Sequence, residues 1–317
     1  MSTSQTPHQA ILAVIPQGRP RDILTRYLDG SLSTEMALMY WLQATPDPEQ
    51  IRVTLNAAMA ASAGSSPAQC AASLRTLADL MAENRSGCER IASMLRSGVD
   101  TDQPAASVEE GIAFCQRLFD WSVDKCAEAS VALYSLGNPA ILDAATGEIV
   151  QLMREWGLLG GARSLLEIGC GIGRFPKALA ADAQTITAID VSARMIQAAR
   201  ERCVNCPNVT LHQCAGRDLS MFESASFDLV YAIDTFPYLC QSGMALVEKH
   251  FEEVRRVLKP AGDFLILEFS YHRDLESDRR DVIRLASGAF EVLVGGTRPF
   301  KLWDGAAFHL RAMTVPQ

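Results

Sequence analysis

The chain has 317 residues, of which 48% are hydrophobic, and it carries a formal net charge of −8. This length accommodates one large domain or two smaller ones, and the apolar content is ample for a buried core. The acidic balance, without any run of lysine and arginine, argues against a nucleic-acid partner, which would require neutralisation of phosphates.

The sequence predicts neither a membrane anchor nor a disulfide framework. No stretch reaches the roughly 18 apolar residues of a membrane helix, and the N-terminus lacks the basic-then-apolar layout of a signal peptide. The nine scattered cysteines fit reduced thiols, and the Cys203 and Cys206 pair lacks the second pair that a zinc site needs. We therefore expect a cytoplasmic protein that is not bound to a membrane and holds no metal.

Residues 1–106 are predicted to form an N-terminal helical domain. Ser33 can cap a helix whose apolar positions recur at helical spacing, and Pro46 marks its end. A linker is expected over Ser97–Ser107, which is rich in turn-forming residues. Further helices are expected over Glu49–Ala60, Ala68–Ala82 and Cys88–Leu95.

Residues 107–162 are also helical in pattern and are predicted to connect this domain to the next. A Gly-Asn-Pro turn interrupts the pattern within Ala132–Pro139, and Pro139 can open the helix that follows. No internal repeat is evident in this part of the chain.

Three alternating glycines, Gly169, Gly171 and Gly173, follow an apolar run and precede an alanine-rich helical pattern. A strand, a glycine turn and a helix N-terminus together make an anion and nucleotide site. Side chains at these positions would hold a ligand away from the backbone N–H groups, and the turn is expected to need positive φ angles. The sixth position of the dinucleotide fingerprint, counted from Gly169, is Arg174, so a plain NAD site is disfavoured.

After the turn, apolar runs alternate regularly with helical patterns. Such alternation predicts a parallel sheet with helices on both faces and a ligand at the carboxyl ends of the strands. Strands are expected over Ser164–Ile168, Thr185–Asp190, Val209–Cys214, Phe227–Ile233, Asp263–Phe269, Phe290–Val294 and Phe308–Val315. Helices are expected over Phe175–Ala181, Ala193–Cys203 and Ala245–Leu258.

An acid, Glu167, precedes the first glycine by two residues, so the pattern reads acidic-x-Gly-x-Gly-x-Gly. At this point the sequence resembles the class I S-adenosylmethionine-dependent methyltransferases, and the later motifs of that family follow in order. The resemblance implies a Rossmann-like seven-stranded α/β sheet over residues 163–317, closed by an antiparallel hairpin and preceded by the N-terminal helical region. It also implies S-adenosylmethionine as the cofactor.

The resemblance further implies which residues hold the cofactor. Glu167 would organise the turn and the methionyl amine, the glycine backbone would bind the carboxylate, and Asp190 would accept hydrogen bonds from the ribose hydroxyls. The other implied cofactor residues near the turn and the fourth strand are Cys170, Gly171, Gly173 and Ile233. The residues that by the resemblance border the adenine are Val191, Met195, Gly216 and Arg217.

An oxygen or nitrogen acceptor would also require a base, and by resemblance the candidates follow the fourth and fifth strands. Asp234 and Tyr238 rank first, ahead of Tyr271 and His272. Tyr238 can also serve merely as a wall of the pocket, and His272 can be a solvated surface residue.

In many members of the family, helices before the glycine turn fold over the cofactor as a lid. By that resemblance Tyr134 and Asn138 are candidates for covering the sulfonium, and a tyrosine face can hold a cation with roughly 0.5 to 2 kcal/mol. The alternative for Tyr134 is a buried ring at a helix junction. Trp303 is expected to be a core residue.

The leading functional hypothesis is methyl transfer to a small-molecule acceptor. Within the same fold, ring-forming displacement to methylthioadenosine and a cyclic amino acid such as azetidine-2-carboxylate remains open, as does aminocarboxypropyl transfer. A third alternative is a non-catalytic partner that binds S-adenosylmethionine. The identity of the acceptor and a homodimeric assembly are likewise left open by the sequence.

Overall fold

The computed structural model describes residues 8–62, 68–97, 105–271 and 274–314. The expected linker over Ser97–Ser107 lies largely outside these ranges, and His272 lies outside them as well. Within the described ranges, no helix combines the length and the apolar character needed to cross a membrane.

The chain divides into two compact units, and neither is a continuous stretch of sequence. Their boundaries differ from the divisions at residues 106 and 162 that the sequence suggested. The first unit comprises Met1–Val99, Lys125–Leu142 and Lys301–Asp304. The second unit comprises Asp100–Asp124, Asp143–Phe300 and Gly305–Gln317.

The described part of the first unit is helical, as predicted for the N-terminal region. Ser33 caps a helix as expected, because its Oγ accepts a hydrogen bond from the N–H of Met36 (3.1 Å). The helices before residue 100 are α1 (Gln9–Ala13), α2 (Arg19–Leu28), α3 (Thr34–Ala44), α4 (Pro48–Ser62), α5 (Ala68–Glu83) and α6 (Arg85–Arg96). The next three helices are α7 (Val108–Lys125), α8 (Ala127–Val131) and α9 (Pro139–Glu155). Of these, α8 belongs to the first unit, whereas nearly all of α7 and most of α9 belong to the second.

Two later segments, Lys125–Leu142 and Lys301–Asp304, belong to the first unit. They contact each other and its early helices. The ring of Tyr134 stacks on that of Trp303, with centroids 6.3 Å apart. The hydroxyl of Tyr40 donates to Asp304 Oδ2 (2.9 Å), and Ser33 Oγ donates to the carbonyl of Leu302 (3.2 Å). A segment from the far end of the sequence therefore completes this helical unit.

The second unit is built on a seven-stranded sheet, which confirms the predicted fold. The strand order is β3-β2-β1-β4-β5-β7-β6. Strands β1 to β5 run parallel, and β7 lies antiparallel between β5 and β6, which makes the predicted closing hairpin. The strands are β1 (Gly160–Ile168), β2 (Ala183–Asp190), β3 (Val209–Gln213), β4 (Phe227–Ile233), β5 (Leu258–Leu267), β6 (Phe290–Thr297) and β7 (Ala307–Ala312).

Five further helices connect these strands, and two of them were not expected from the sequence. The stretch after β4 forms a short helix whose first turn contains Pro237, and Asp274 caps another helix by accepting from the N–H of Ser277 (2.9 Å). The helices are α10 (Arg174–Leu179), α11 (Ala193–Arg202), α12 (Phe236–Ser242), α13 (Met244–Val257) and α14 (Leu275–Ala286).

An aromatic cluster forms part of the core beside strand β5. Phe251 and Phe264 make an edge contact with centroids 5.4 Å apart, and Phe236 and Phe290 each lie 5.8 to 5.9 Å from Phe264. Buried aromatic side chains contribute large apolar areas, and such edge and tilted contacts are their preferred geometries. The cluster packs helices α12 and α13 onto the sheet.

A buried carboxylate, Asp263, joins strands β1, β5 and β7. Its Oδ1 lies 2.9 Å from His309 Nε2 and accepts from Arg311 Nη2 (2.9 Å), while Oδ2 accepts from Arg163 Nη1 (3.1 Å). Burial opposes ionisation, but the hydrogen bonds from His309 and Arg311 outweigh it and lower the pKa of Asp263. The ring of Trp156 stacks on His309 at 5.6 Å.

We expect Asp263→Asn to reduce the free energy of unfolding by roughly 1.5 to 3 kcal/mol at pH 7, because hydrogen bonds from the half-buried guanidinium groups of Arg163 and Arg311 to a buried carboxylate are lost. Since the pKa of Asp263 is lowered on folding, its stabilisation is present above the unfolded pKa of about 4 and is lost as pH falls through the folded value. Urea unfolding at pH 7 and pH 3 measures both effects.

The matched control is Asp182→Asn, which removes an ion pair with Arg154 (2.8 Å) that is half-exposed. Such pairs contribute about 0 to 1 kcal/mol. Two results would contradict a stabilising role for the ionised Asp263 carboxylate. One is a similar loss of unfolding free energy in both variants, and the other is a loss for Asp263→Asn that persists fully at pH 3.

Candidate functional site

The three alternating glycines form the turn between strand β1 and helix α10. Gly169, Gly171 and Gly173 have φ angles of 76°, 51° and 75°, as predicted. The N–H groups of Gly169 and Cys170 both donate to the carbonyl of Ile189 (2.8 and 3.0 Å). The turn is thereby held against the end of strand β2.

Close packing also requires two of these glycines. A Cβ on Gly169 would lie 2.3 Å from Thr235 Oγ1, and a Cβ on Gly173 would lie 2.9 Å from the Cβ of Ala199. The sequence suggested ligand approach as the reason for glycine at these positions. The structure adds a second reason, because the turn lies directly against Thr235, two residues after β4, and against helix α11.

Glu167, near the end of β1, is buried beneath the turn. The hydroxyl of Tyr231 donates to its Oε2 (3.3 Å). Burial raises the pKa of Glu167 well above its usual range, although Arg174 and the Tyr231 hydrogen bond act in the opposite direction. Glu167 thus links β1 to β4 and to the first residue of α10, and its contact with a methionyl amine stays a prediction.

Asp190 ends strand β2 beside the turn. Its Oδ2 accepts from the N–H of Gly171 and its Oδ1 from the N–H of Ser192, both at 2.9 Å. Burial raises the pKa of Asp190 to about 6, and the backbone hydrogen bonds partly offset this rise. The carboxylate that was predicted to bind ribose therefore lies next to the glycine turn.

The start of helix α11 follows directly. Ser192 caps it, because its Oγ accepts from the N–H of Met195 (3.0 Å), and the side chain of Met195 is fully buried. Asp120 of helix α7 also contacts the start of α11. It accepts hydrogen bonds from Ser192 Oγ (2.6 Å) and from the N–H of Arg194 (3.2 Å). Sequence reasoning did not identify Asp120.

Two residues predicted to border adenine lie together after strands β2 and β3. Gly216 has a φ of 72°, and a Cβ on it would lie 2.6 Å from Val191 Cγ1. The same Cβ would lie 3.2 Å from Cγ2 of Ile112 on helix α7. Arg217, the next residue, is exposed.

The predicted acceptor residues form a cluster at the ends of β4 and β5. Asp234 has a left-handed backbone (φ 58°), and its N–H donates to the carbonyl of Leu267 (2.8 Å). Its Oδ1 accepts a hydrogen bond of 2.6 Å from the hydroxyl of Tyr271. The ring of Tyr238 makes edge contacts with Tyr271 (5.7 Å) and with Phe119 of helix α7 (4.9 Å).

The two phenols of this cluster favour their protonated forms. Burial raises the pKa of Tyr238 above its ordinary value, with a further rise from Asp234. Although 44% of Tyr271 is exposed, enclosure of its hydroxyl end and the neighbouring Asp234 raise its pKa as well. Both phenols can therefore donate hydrogen bonds, and Asp234 is the carboxylate that can accept a proton.

Tyr134 and Asn138 belong to the first unit. Tyr134 is buried and stacks on Trp303, which is itself buried as expected of a core residue. The side-chain amide of Asn138 donates to Asn84 Oδ1 (2.8 Å). Their roles as a cover for the sulfonium stay predictions.

Cys170 and Ile233 are both buried close to the chain turns that follow β1 and β4. The thiol of Cys203 donates to the carbonyl of Gly173 (3.6 Å), so this cysteine supports the glycine turn. Among the described residues, no three or more His, Cys, Asp or Glu side chains are grouped so that they could hold a metal ion.

The residues that sequence reasoning missed lie on helix α7. Ile112 and Phe119 contact the predicted adenine and acceptor residues, and Asp120 contacts the start of α11. No motif marks them. The available signal was the spacing of Ile112, Cys115 and Phe119, which places them on one face of a helix.

The chain is similar to known proteins both in sequence and in fold. A family profile described as "Methyltransferase domain" matches residues 166–266. The demethylmenaquinone methyltransferase of Tropheryma whipplei (strain Twist) is 33% identical over 109 residues, or 34% of this chain and 43% of that protein. The 2-methyl-6-phytyl-1,4-hydroquinone methyltransferase of Synechocystis sp. is 26% identical over 132 residues, or 40% of this chain and 39% of that protein.

A solved structure shares the fold. Phosphoethanolamine N-methyltransferase 1 of Haemonchus contortus, in complex with phosphoethanolamine and S-adenosylhomocysteine, superposes with a TM-score of 0.55 at 17% identity. The match covers 66% of this chain and 50% of that one. The chain spans less than half the length of the two curated relatives, the demethylmenaquinone and the phytylhydroquinone methyltransferases.

The matched segment begins in strand β1 and ends in strand β5. It therefore contains the glycine turn, Asp190 and Asp234, which the structure gathers at the carboxyl ends of the strands. Ligands of open α/β sheets bind at this edge. The chain carries a class I S-adenosylmethionine-dependent methyltransferase domain.

Proposed function

We propose that this protein transfers a methyl group from S-adenosylmethionine to a small-molecule acceptor. The observation that best supports this proposal is the position of Asp190. Its carboxylate lies beside the glycine turn, at the edge where such sheets bind ligands. The match to the methyltransferase profile over residues 166–266 supports the reaction class.

The residues present fit the cofactor. The three glycines leave the turn without side chains at their positions, and Asp190 offers carboxylate oxygens to ribose hydroxyls. The N–H groups of these glycines already donate within the protein, so their binding of the cofactor's carboxylate stays a prediction. Val191 and Gly216 would border the adenine, and Ile112 of helix α7 packs beside Gly216. When bound, the cofactor supplies an electrophilic methyl group on a sulfonium.

At the acceptor edge, the chain's own residues position the nucleophile and take up its proton. The bound cofactor would supply its methyl carbon to the acceptor's nucleophile, and the electron pair of the carbon–sulfur bond would stay on the sulfur. Asp234 would accept the proton that an oxygen or nitrogen acceptor releases, and the Tyr271 phenol would stabilise the carboxylate by its hydrogen bond (2.6 Å). Tyr238 and Phe119 would wall the pocket.

A small acceptor is favoured by the charge and by the relatives. A net charge of −8 disfavours a polyanionic partner, and two relatives carry the names of methyltransferases for demethylmenaquinone and a phytylhydroquinone. We also propose a cytoplasmic location, because all nine cysteines are free thiols. A homodimer remains a hypothesis.

The binding of S-adenosylmethionine should weaken below pH 6. The pKa of Asp190 is raised to about 6 in the free protein, and the ribose hydroxyls donate to the ionised form. Affinity should therefore fall by up to tenfold for each pH unit below 6 and be level above pH 7. Calorimetry from pH 5 to pH 8 measures this profile.

Asp190→Ala should weaken S-adenosylmethionine at pH 7.5 by roughly tenfold or more, because hydrogen bonds to a charged group are lost. The pH profile of cofactor binding by the Asp190→Ala protein should also lack the inflection near pH 6. Unchanged affinity in a folded Asp190→Ala protein would remove the ribose assignment.

The reaction itself is tested by incubating the protein with S-adenosylmethionine, with and without a small-molecule cell extract, and identifying products by mass spectrometry. Methyl transfer predicts S-adenosylhomocysteine that depends on the extract. Methylthioadenosine formed without extract would support the ring-forming alternative, and bound cofactor without turnover would support a non-catalytic partner.

Asp234→Asn should reduce extract-dependent formation of S-adenosylhomocysteine by about a hundredfold or more, because general-base contributions are of that order. Tyr271→Phe keeps the carboxylate and should cause a smaller loss. Both variants should bind S-adenosylmethionine as the wild type does. Full turnover by Asp234→Asn would exclude Asp234 as the base.

A further inference from the structure

Asp120 of helix α7 contacts the start of helix α11 through one of its carboxylate oxygens. Oδ1 of Asp120 accepts from the hydroxyl of Ser192 (2.6 Å) and from the N–H of Arg194 (3.2 Å). Ser192 is fully buried. An anion at the first turn of a ten-residue helix is also favoured by the helix dipole.

The same serine connects Asp120 to the cofactor edge. Ser192 Oγ accepts from the N–H of Met195 while it donates to Asp120. The backbone N–H of Ser192 donates to Asp190 Oδ1 (2.9 Å), and Asp190 Oδ2 accepts from Gly171. A continuous series of hydrogen bonds therefore runs from α7 to the glycine turn.

Helix α7 also covers both ends of this edge. Near its start, a Cβ on Gly111 would lie 2.4 Å from Ser242 Oγ, and Ile112 packs beside Gly216. Near its end, Phe119 packs on Tyr238 (4.9 Å). The apolar contacts would let the helix slide or tilt, whereas the hydrogen bonds of Asp120 fix one position along it.

We propose that Asp120 is a positioning residue of the cofactor site. It fixes helix α7 on the start of α11 and, through Ser192, orients the Asp190 carboxylate. This inference rests on the proposed binding of S-adenosylmethionine. It assigns to a residue 70 positions before Asp190 a part in holding the cofactor, without contact with the cofactor itself.

The test uses the full chain and S-adenosylmethionine as the probe. Asp120→Ala should weaken binding by roughly tenfold, mostly through faster dissociation in stopped-flow measurements, because two hydrogen bonds to a charged acceptor are lost. Asp120→Asn keeps an oxygen in place of Oδ1 and should weaken binding by less than about threefold. The melting temperature of the unliganded Asp120→Asn protein should match that of the wild type.

Double-substitution measurements separate positioning from general stability. If Asp120 acts through Ser192, Asp120→Ala should weaken binding much less in a Ser192→Ala background than in the wild type. The matched control is Asp124→Ala, one turn further along α7, which removes an exposed ion pair with the Arg194 side chain (3.2 Å) and should leave affinity within twofold of the wild type.

Three results would overturn the inference. They are wild-type affinity in Asp120→Ala, an equal loss in Asp124→Ala, or full additivity with Ser192→Ala. If the wild type itself fails to bind S-adenosylmethionine, the proposed function falls and this inference falls with it. The wild-type measurement therefore distinguishes the two failures.

Discussion

The burial of the Asp190 carboxylate is the constraint on which the site depends. A buried charge is costly unless donors compensate it, and here the donors are backbone N–H groups of Gly171 and Ser192. Compensation is incomplete, because the pKa of Asp190 still rises to about 6. The glycine turn and the start of α11 are thus held in their relative positions by one shared acceptor.

Local patterns account for what the sequence could predict. Strand β4 has the bounds expected for it, the closing hairpin of β6 and β7 is present, and the glycine turn and Asp190 lie at one edge of the sheet. Each of these has a signal within a few residues, either apolar periodicity or a glycine spacing. Helix α12 was missed because Phe236–Ser242 is short and opens with a Phe-Pro pair that also fits a loop.

Contacts between distant segments could not be predicted. Asp120 meets Ser192 across 72 positions, and nothing in either local sequence indicates the other. The glycines are a second example. Thr235 packs too closely on Gly169, and Ala199 too closely on Gly173, for either position to hold a side chain, and the sequence pattern alone does not indicate these neighbours. A spacing pattern identifies the turn, whereas the neighbours that enforce it depend on the order of strands in the sheet.

The composition of the first unit has a consequence for how the chain folds. Tyr134 stacks on Trp303 and Tyr40 bonds to Asp304, so this helical unit is complete only when residues 301–304 have been made. During synthesis, which proceeds from the N-terminus, the early helices therefore gain these contacts only after most of the sheet has emerged. Strand β7 adds to the delay, because it lies between β5 and β6. Contacts between segments so far apart in sequence close large loops, and such closure slows folding.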